Sequence, residues 1–227
     1  MENFRLYNKL ITLPLFVGMS KDELEQIVAQ TKFDFLKTES GDIIVREDDK
    51  SGQLLLLVSG EIELSSFADD KGYVVYEYLK APYALQPERT FGLSQRYSCT
   101  ATAMTTCSLI CINKNEILRL TDASLIFRLN LLNTISTALQ KQNRQIWQSI
   151  PQSLEQRITR FFLLHCVYPA GHKIFKIKMD RLAEELNDSR LHISQVLNEM
   201  AARKMVILSR GKIEIPSIER LAGIVIS

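Results

Sequence analysis

Arg190, His192 and Gln195 stand at the start of a run in which Ile193, Val196, Leu197 and Met200 recur at i, i+3, i+4 and i+7. That spacing belongs to a helix with one buried stripe. It turns Arg190, Leu191, His192, Ser194 and Gln195 away from the stripe. A guanidinium can donate twice to guanine O6 and N7, and a carboxamide can pair with adenine N6 and N7. Arg190 and Gln195, with His192, are therefore candidates to read base-pair edges in a major groove. Ser189 precedes them and suits an N-cap, because its hydroxyl can accept from an N–H of the first turn.

These side chains need a scaffold, and the flanking sequence supplies one. Leu182, Ala183 and Leu186 mark a preceding short helix, with Asn187-Asp188-Ser189 between the two. Asparagine tolerates the left-handed backbone of a tight turn, and small Ala183 lets the helices cross closely. Residues 179–205 thus read as a helix-turn-helix. Val206-Ile207-Leu208, Ser209-Arg210-Gly211-Lys212 and Ile213-Glu214-Ile215-Pro216 follow as strand, turn and strand, a hairpin with a basic tip. Helix-turn-helix and hairpin together form a winged helix. Lys178, Arg210 and Lys212 are its candidate phosphate contacts. The same pattern also allows an amphipathic helical hairpin with a solvated polar face, or a winged helix that meets a protein partner instead of DNA.

The charge is asymmetric in the same sense. Residues 151–227 hold 12 Lys and Arg against 8 Asp and Glu, whereas the remainder holds 16 against 18. The half with the helix-turn-helix is the positive half. No apolar run is long enough to span a bilayer, and MENFRLYNKL lacks the order of a signal peptide, so a cytoplasmic protein with no membrane partner is expected. Cys99, Cys107, Cys111 and Cys166 have neither CxxC spacing nor neighbouring His, which argues against a metal or cluster and for buried small apolar residues. No Gly-rich phosphate loop or nucleophile motif is present, and the three His all fall at 165 or later. An enzyme is not expected.

Upstream, Ser20 to Glu23 is a capping box for a helix carrying Leu24, Ile27 and Val28. From Phe33 to Ile112 the pattern changes to short apolar or alternating runs, at 33–36, 43–45, 54–58, 62–64, 73–79, 101–104 and 109–112, separated by Gly- and Asp-rich turns. They predict a compact jelly-roll-like β-domain. Asn115 to Leu120 reads as one helical turn, and Asp122 as the cap of a long helix running to about Ser149. Leu125, Leu132, Leu139 and Ile146 recur every seven residues on that helix with Ile135 on the same seam, which favours a two-fold dimer over packing against its own β-domain. Pro151 ends the helix, and Ser153 with Gln156 caps the next one. The expected divisions are a sensory β-roll at 1–121, a dimerisation helix at 122–150 and a winged helix at 151–227, an α+β chain overall.

In this order the chain resembles the Crp/Fnr family of transcriptional regulators. The resemblance is carried by Leu13-Pro14-Leu15-Phe16 with Met19-Ser20, by Ser40-Gly41-Asp42-Ile43-Ile44, by Val58-Ser59-Gly60-Glu61-Ile62 and by 177–197. It implies a homodimer on a near-palindromic operator in double-stranded DNA, RNA polymerase as a further partner, and a ligand in a cyclic-nucleotide-binding-type β-roll. Where the family's recognition helix commonly reads Ser-Arg-Glu-Thr-Val-x-Arg, this chain reads Ser189-Arg190-Leu191-His192-Ile193-Ser194-Gln195. Arg190 carries over. Leu191 and Gln195 replace the acidic reader and the second Arg, so the operator differs from that of the type member.

The effector site departs further. Cyclic-nucleotide-binding members hold the ribose with a Gly-Glu pair and the phosphate with an Arg-Ser pair about ten residues later. An ungapped match puts Pro87 at the Glu position and Tyr97 at the Arg position, followed by Ser98. Tyrosine brings no positive charge, so a buried phosphodiester there lacks a charge partner. A shift of one residue would bring Glu88 and Arg96 but turn them to the opposite face of a strand. The resemblance places Tyr97, Ser98, Gln142 and Asn143 around the effector pocket; Gln142 and Asn143 read equally as a pocket wall, an inter-subunit hydrogen bond or an exposed face. The N-terminal Cys cluster of the iron–sulfur branch and the sensory His of the haem branch are absent, so no cofactor is expected. The effector is then an unknown small molecule or none, with a cyclic-nucleotide-responsive regulator as the alternative.

Overall fold

Four consecutive leucines, Leu54 to Leu57, are all buried in a computed structural model of the chain. Side chains alternate across a strand, so such a run needs cover on both faces. The structure describes residues 2–146 and 151–226, with side chains at 6–140 and 151–223. The chain divides into two units, one of residues 1–62 and 79–146, the other of 63–78 and 147–227. In order it forms α1 (Glu2–Leu10), α2 (Lys21–Gln30), β1 (Asp34–Thr38), β2 (Ile43–Val45), β3 (Gln53–Ser59), β4 (Glu61–Phe67), β5 (Tyr73–Lys80), β6 (Tyr83–Leu85), β7 (Thr100–Ala103) and β8 (Cys107–Asn113). Then follow α3 (Lys114–Ala123), α4 (Leu125–Ile146), α5 (Leu154–Leu164), β9 (Lys173–Ile177), α6 (Met179–Leu186), α7 (Arg190–Ala202), β10 (Ile207–Ser209), β11 (Lys212–Ile215) and α8 (Ile218–Ile226). This is the expected α+β class.

The first unit is a β-roll with helices on one face. An antiparallel sheet in the order β1-β8-β3-β6 is its main layer, and β2 pairs with β7 in the other. Leu54 and Leu56 join Ile110 and Ile112 in a core with Leu10, Phe16, Leu24, Ile117 and Phe127 from the helices and the turn after α1. Ser20 and Glu23 form the expected capping box on α2. Gly60 permits the tight entry into β4: its φ is +99°, and a Cβ there would stand 2.6 Å from Cys107 Sγ and 2.7 Å from the Thr106 carbonyl. Burial pushes the Cys111 thiol up to about 11, so it stays protonated.

Two details of the helices differ from the sequence reading. The turn expected at Asn115–Leu120 is the ten-residue α3, and Asp122 lies inside its last turn. Ser124 caps α4 instead, because it has extended backbone angles (φ −126°, ψ 115°) and its hydroxyl accepts from Phe127 N–H at 3.3 Å. On α4, Leu125, Leu129, Leu132 and Leu139 are exposed, whereas Ile135 packs against the unit's own core with Ile126. The outward stripe therefore runs through Leu129, not Ile135. Residues 147–150, where the helix was expected to end, lie outside the described residues.

The second unit is a winged helix enlarged by a hairpin from far upstream. Its antiparallel strands lie in the order β10-β11-β9-β5-β4. β5 pairs with β9 from Tyr73↔Ile177 to Glu77↔Lys173. Tyr73 and Val75 enter one core with Ile158, Phe162, Phe175, Leu182, Ile193, Leu197, Met200 and Ile215. Ser153 and Gln156 make the expected capping box on α5. Glu77 and Lys173 are both fully buried and 2.7 Å apart, and the Glu77 carboxylate also accepts the N–H groups of Val167 at 2.6 Å and Tyr168 at 2.9 Å. A buried ion pair persists only when further hydrogen bonds satisfy it, and this carboxylate has three donors.

Candidate nucleic-acid interface

α6 and α7 meet across a three-residue turn whose backbone bonds are closed. Asn187 adopts the left-handed conformation (φ 48°, ψ 53°) and its N–H bonds back to the carbonyls of Ala183 and Glu184. Asp188 N–H bonds to the Ala183 carbonyl at 3.1 Å. Ser189 caps α7, accepting from His192 N–H at 3.2 Å. Ile193, Leu197 and Met200 are fully buried, and Ala183 at the crossing is buried too.

Asp188 is the hub of the turn. Its carboxylate accepts from Ser189 N–H at 2.8 Å, pairs with the Arg157 guanidinium from α5 and meets His192 Nδ1 at 3.0 Å. Burial acts to raise the Asp188 pKa, but Ser189 N–H, Arg157 and His192 outweigh it and hold the carboxyl below its ordinary value. Arg157 also donates to the Leu186 carbonyl at 2.9 Å, so it ties the end of α6 to the turn. Sequence reasoning missed Arg157, because its two partners lie 29 and 31 residues away and no local pattern announces them.

The predicted reading residues all lie on the solvent side of α7. Ser189, Arg190, His192 and Gln195 are exposed. Arg190 makes one ion pair with Asp180 at 3.3 Å; both side chains are about two-thirds exposed, so water and salt weaken it. His192 has Nδ1 engaged by Asp188, which leaves Nε2 as its other polar atom. Lys178 is exposed at the N-cap of α6, and Arg210 is exposed beside Gly211 at the tip of the wing. Lys212 is partly turned inward and pairs with Glu214 at 2.8 Å.

In the first unit, Tyr97 and Ser98, two of the four predicted pocket residues, make hydrogen bonds within the fold. Tyr97 is 4% exposed and its hydroxyl donates to the Gln53 carbonyl at 3.4 Å, and burial raises its pKa. Ser98 is taken up by a residue the sequence reading did not single out. Gln86 Nε2 donates to Ser98 Oγ at 2.7 Å, and Gln86 Oε1 accepts Ser98 N–H at 3.0 Å. Gln86 is 2% exposed and left-handed (φ 41°, ψ 56°), and it starts a 3-10 turn at Pro87–Arg89. Arg96 is exposed and donates to the Asp48 carbonyl. Gln142 and Asn143 belong to α4, and their side chains lie outside the described residues. Among the described residues, no group of three or more His, Cys, Asp or Glu is placed to hold a metal ion, and no helix is long and apolar enough to cross a membrane.

Two family models match the chain, a cyclic nucleotide-binding domain over residues 35–124 and a Crp-like helix-turn-helix domain over 156–224. Their order defines a class of transcriptional regulators with a cyclic-nucleotide-binding-like domain ahead of a helix-turn-helix. Solved structures share the fold. The catabolite activator protein of Thermus thermophilus aligns with a TM-score of 0.50 at 19% identity, covering 94% of this chain and 98% of that one. A Crp/Fnr transcriptional regulator from Eubacterium rectale aligns with a TM-score of 0.51 at 21% identity, covering 95% and 99%. The sensor domain of the transcriptional regulator DNR from Pseudomonas aeruginosa gives 0.53 at 20% identity, covering 68% of this chain and all of that one. No curated protein sequence matches the chain. With these two domains in this order, the chain belongs to the Crp/Fnr family.

Proposed function

We propose that the chain is a homodimeric, sequence-specific DNA-binding regulator of transcription that acts without cyclic nucleotide. The carrying observation is the outer face of α7, where Arg190 and Gln195 are exposed beside a turn fixed by Asp188 and Arg157. Donors on a rigid helix start suit base-edge contact. Ser189 and His192 border that face, and Lys178, Arg210 and Lys212 supply salt-dependent phosphate contacts. A cytoplasmic location and RNA polymerase as a partner follow from this role.

Two observations support the finer parts. Leu125, Leu129, Leu132 and Leu139 form an exposed stripe at intervals of four, three and seven residues, which suits a second copy of α4. Steps of four and three residues from Leu139 arrive at Asn143 and Ile146 in the sequence. In the β-roll, Gln86 donates to the Ser98 hydroxyl oxygen and accepts the Ser98 N–H, and Tyr97 donates to a backbone carbonyl, so neither residue gives a cyclic phosphate a positive charge.

Selection of duplexes from a random DNA pool by the purified, ligand-free chain tests the reading, with cyclic AMP and cyclic GMP in parallel arms. The expected product is a near-palindrome in every arm. Enrichment only with a cyclic nucleotide overturns effector independence, and no enrichment in any arm favours a protein-binding winged helix. Sedimentation should give a dimer that Leu132→Asp converts to a monomer; an unchanged mass would remove α4 from the interface.

A further inference from the structure

Leu191 is the second residue of α7 and is 71% exposed. It stands at i, i+3, i+4 and i+7 with Ser194, Gln195 and Asn198, which are also unburied and lie away from the stripe Ile193, Leu197 and Met200. The other three carry polar groups, and Asn198 turns back to donate to the Ser194 carbonyl at 2.8 Å. Leu191 is therefore the apolar end of an otherwise polar stripe. Its neighbour at i+4 is Gln195, so no apolar side chain of the next turn covers it.

We infer that Leu191 reads the C5-methyl group of a thymine, one in each half-site of the operator; this rests on the DNA-reading assignment of α7. The first residues of a recognition helix are those that reach base edges. The edges of guanine, cytosine and adenine present polar atoms to the major groove, and thymine adds a methyl. Leucine over guanine O6 or cytosine N4 strips water from a polar atom and replaces none of its hydrogen bonds. Over the thymine methyl it buries carbon against carbon. The Ser189 cap and the Asp188–Arg157 pair hold the backbone that presents it. In the family's common motif an acidic residue stands here, which selects a donor on the base; leucine selects a methyl.

The test uses the full-length chain. An operator is recovered from a random pool with and without cyclic AMP, and each thymine in it is then replaced in turn by uracil, which lacks only the methyl. Wild type should lose about fourfold in affinity per half-site at one thymine, the worth of one buried methyl group. Leu191→Ala should be indifferent at that position and unchanged elsewhere. Leu191→Val, which keeps an apolar branch, should retain part of the preference. Because Leu191 is exposed, both variants should melt with wild type. Uracil tolerated by wild type at every position, or the same uracil penalty in Leu191→Ala, overturns the inference while leaving DNA binding intact. A pool that yields no enriched sequence overturns the DNA-reading assignment and this inference with it.

Discussion

Gln86 in the β-roll and Gln195 on α7 are the same side chain put to opposite uses. The first is buried and spends its carboxamide on the hydroxyl and N–H of Ser98. The second is exposed on the outer face of a capped helix. Polar groups that satisfy one another inside a fold specify that fold, and polar groups left facing water on a rigid element remain for a partner. By this criterion Gln86 and Ser98 serve the β-roll's own fold, and the exposed face of α7 is the one proposed for recognition.

Four changes would break or sharpen that contrast. The largest effect is expected from Lys173→Met, which strands the buried Glu77 carboxylate; the second unit should lose about 3–5 kcal/mol in denaturant unfolding. Wild-type stability would show that the pair holds nothing together. Next, Arg190→Ala should cost about 1–3 kcal/mol on the selected operator and flatten discrimination at one base pair, with no change in melting. Retained affinity and preference would move the reading residues elsewhere. Gln86→Ala should cost about 1–3 kcal/mol of folding stability and leave DNA affinity unchanged, by leaving Ser98 N–H unsatisfied. An affinity change for DNA, or a gain of cyclic AMP binding, would make Gln86 a regulatory residue.

The smallest effect concerns acid. The Asp188 carboxyl has a lowered pKa in the folded chain, so at low pH the unfolded chain binds the proton more readily. Its stabilising contribution is complete above the unfolded value near about 4 and is lost as pH falls through the lowered folded value. Asp188→Asn should therefore destabilise the chain at neutral pH, with the difference from wild type shrinking as pH falls below about 4. A difference constant over the whole range would show that the Asp188 charge contributes nothing.

Much of this was legible locally. The stripe of α7, the Ser189 cap and the boxes at Ser20 and Ser153 are patterns of three to seven residues, and the structure forms each of them. Asp122 misled because both it and Ser124 are capping residues two positions apart, and only the break between α3 and α4 selects Ser124. Ile135 misled because a repeat of seven does not say which of two apolar stripes the chain's own core takes. β9 was invisible as a strand because its inward positions begin with Lys173. A lysine reads as solvent-facing until its counter-ion is known, and Glu77 lies 96 residues away. Gln86 and Arg157 were missed for the same reason: their partners are distant in sequence.

The β4–β5 hairpin has a consequence for synthesis. Glu77 is translated 96 residues before Lys173, and β5 before the β9 strand it pairs with. At about 5–20 residues per second, a ribosome leaves that carboxylate without its ammonium, and that strand edge without its neighbour, for roughly 5–20 seconds. During that interval the edge of β5 that β9 will cover can pair with the β9 of another chain already complete.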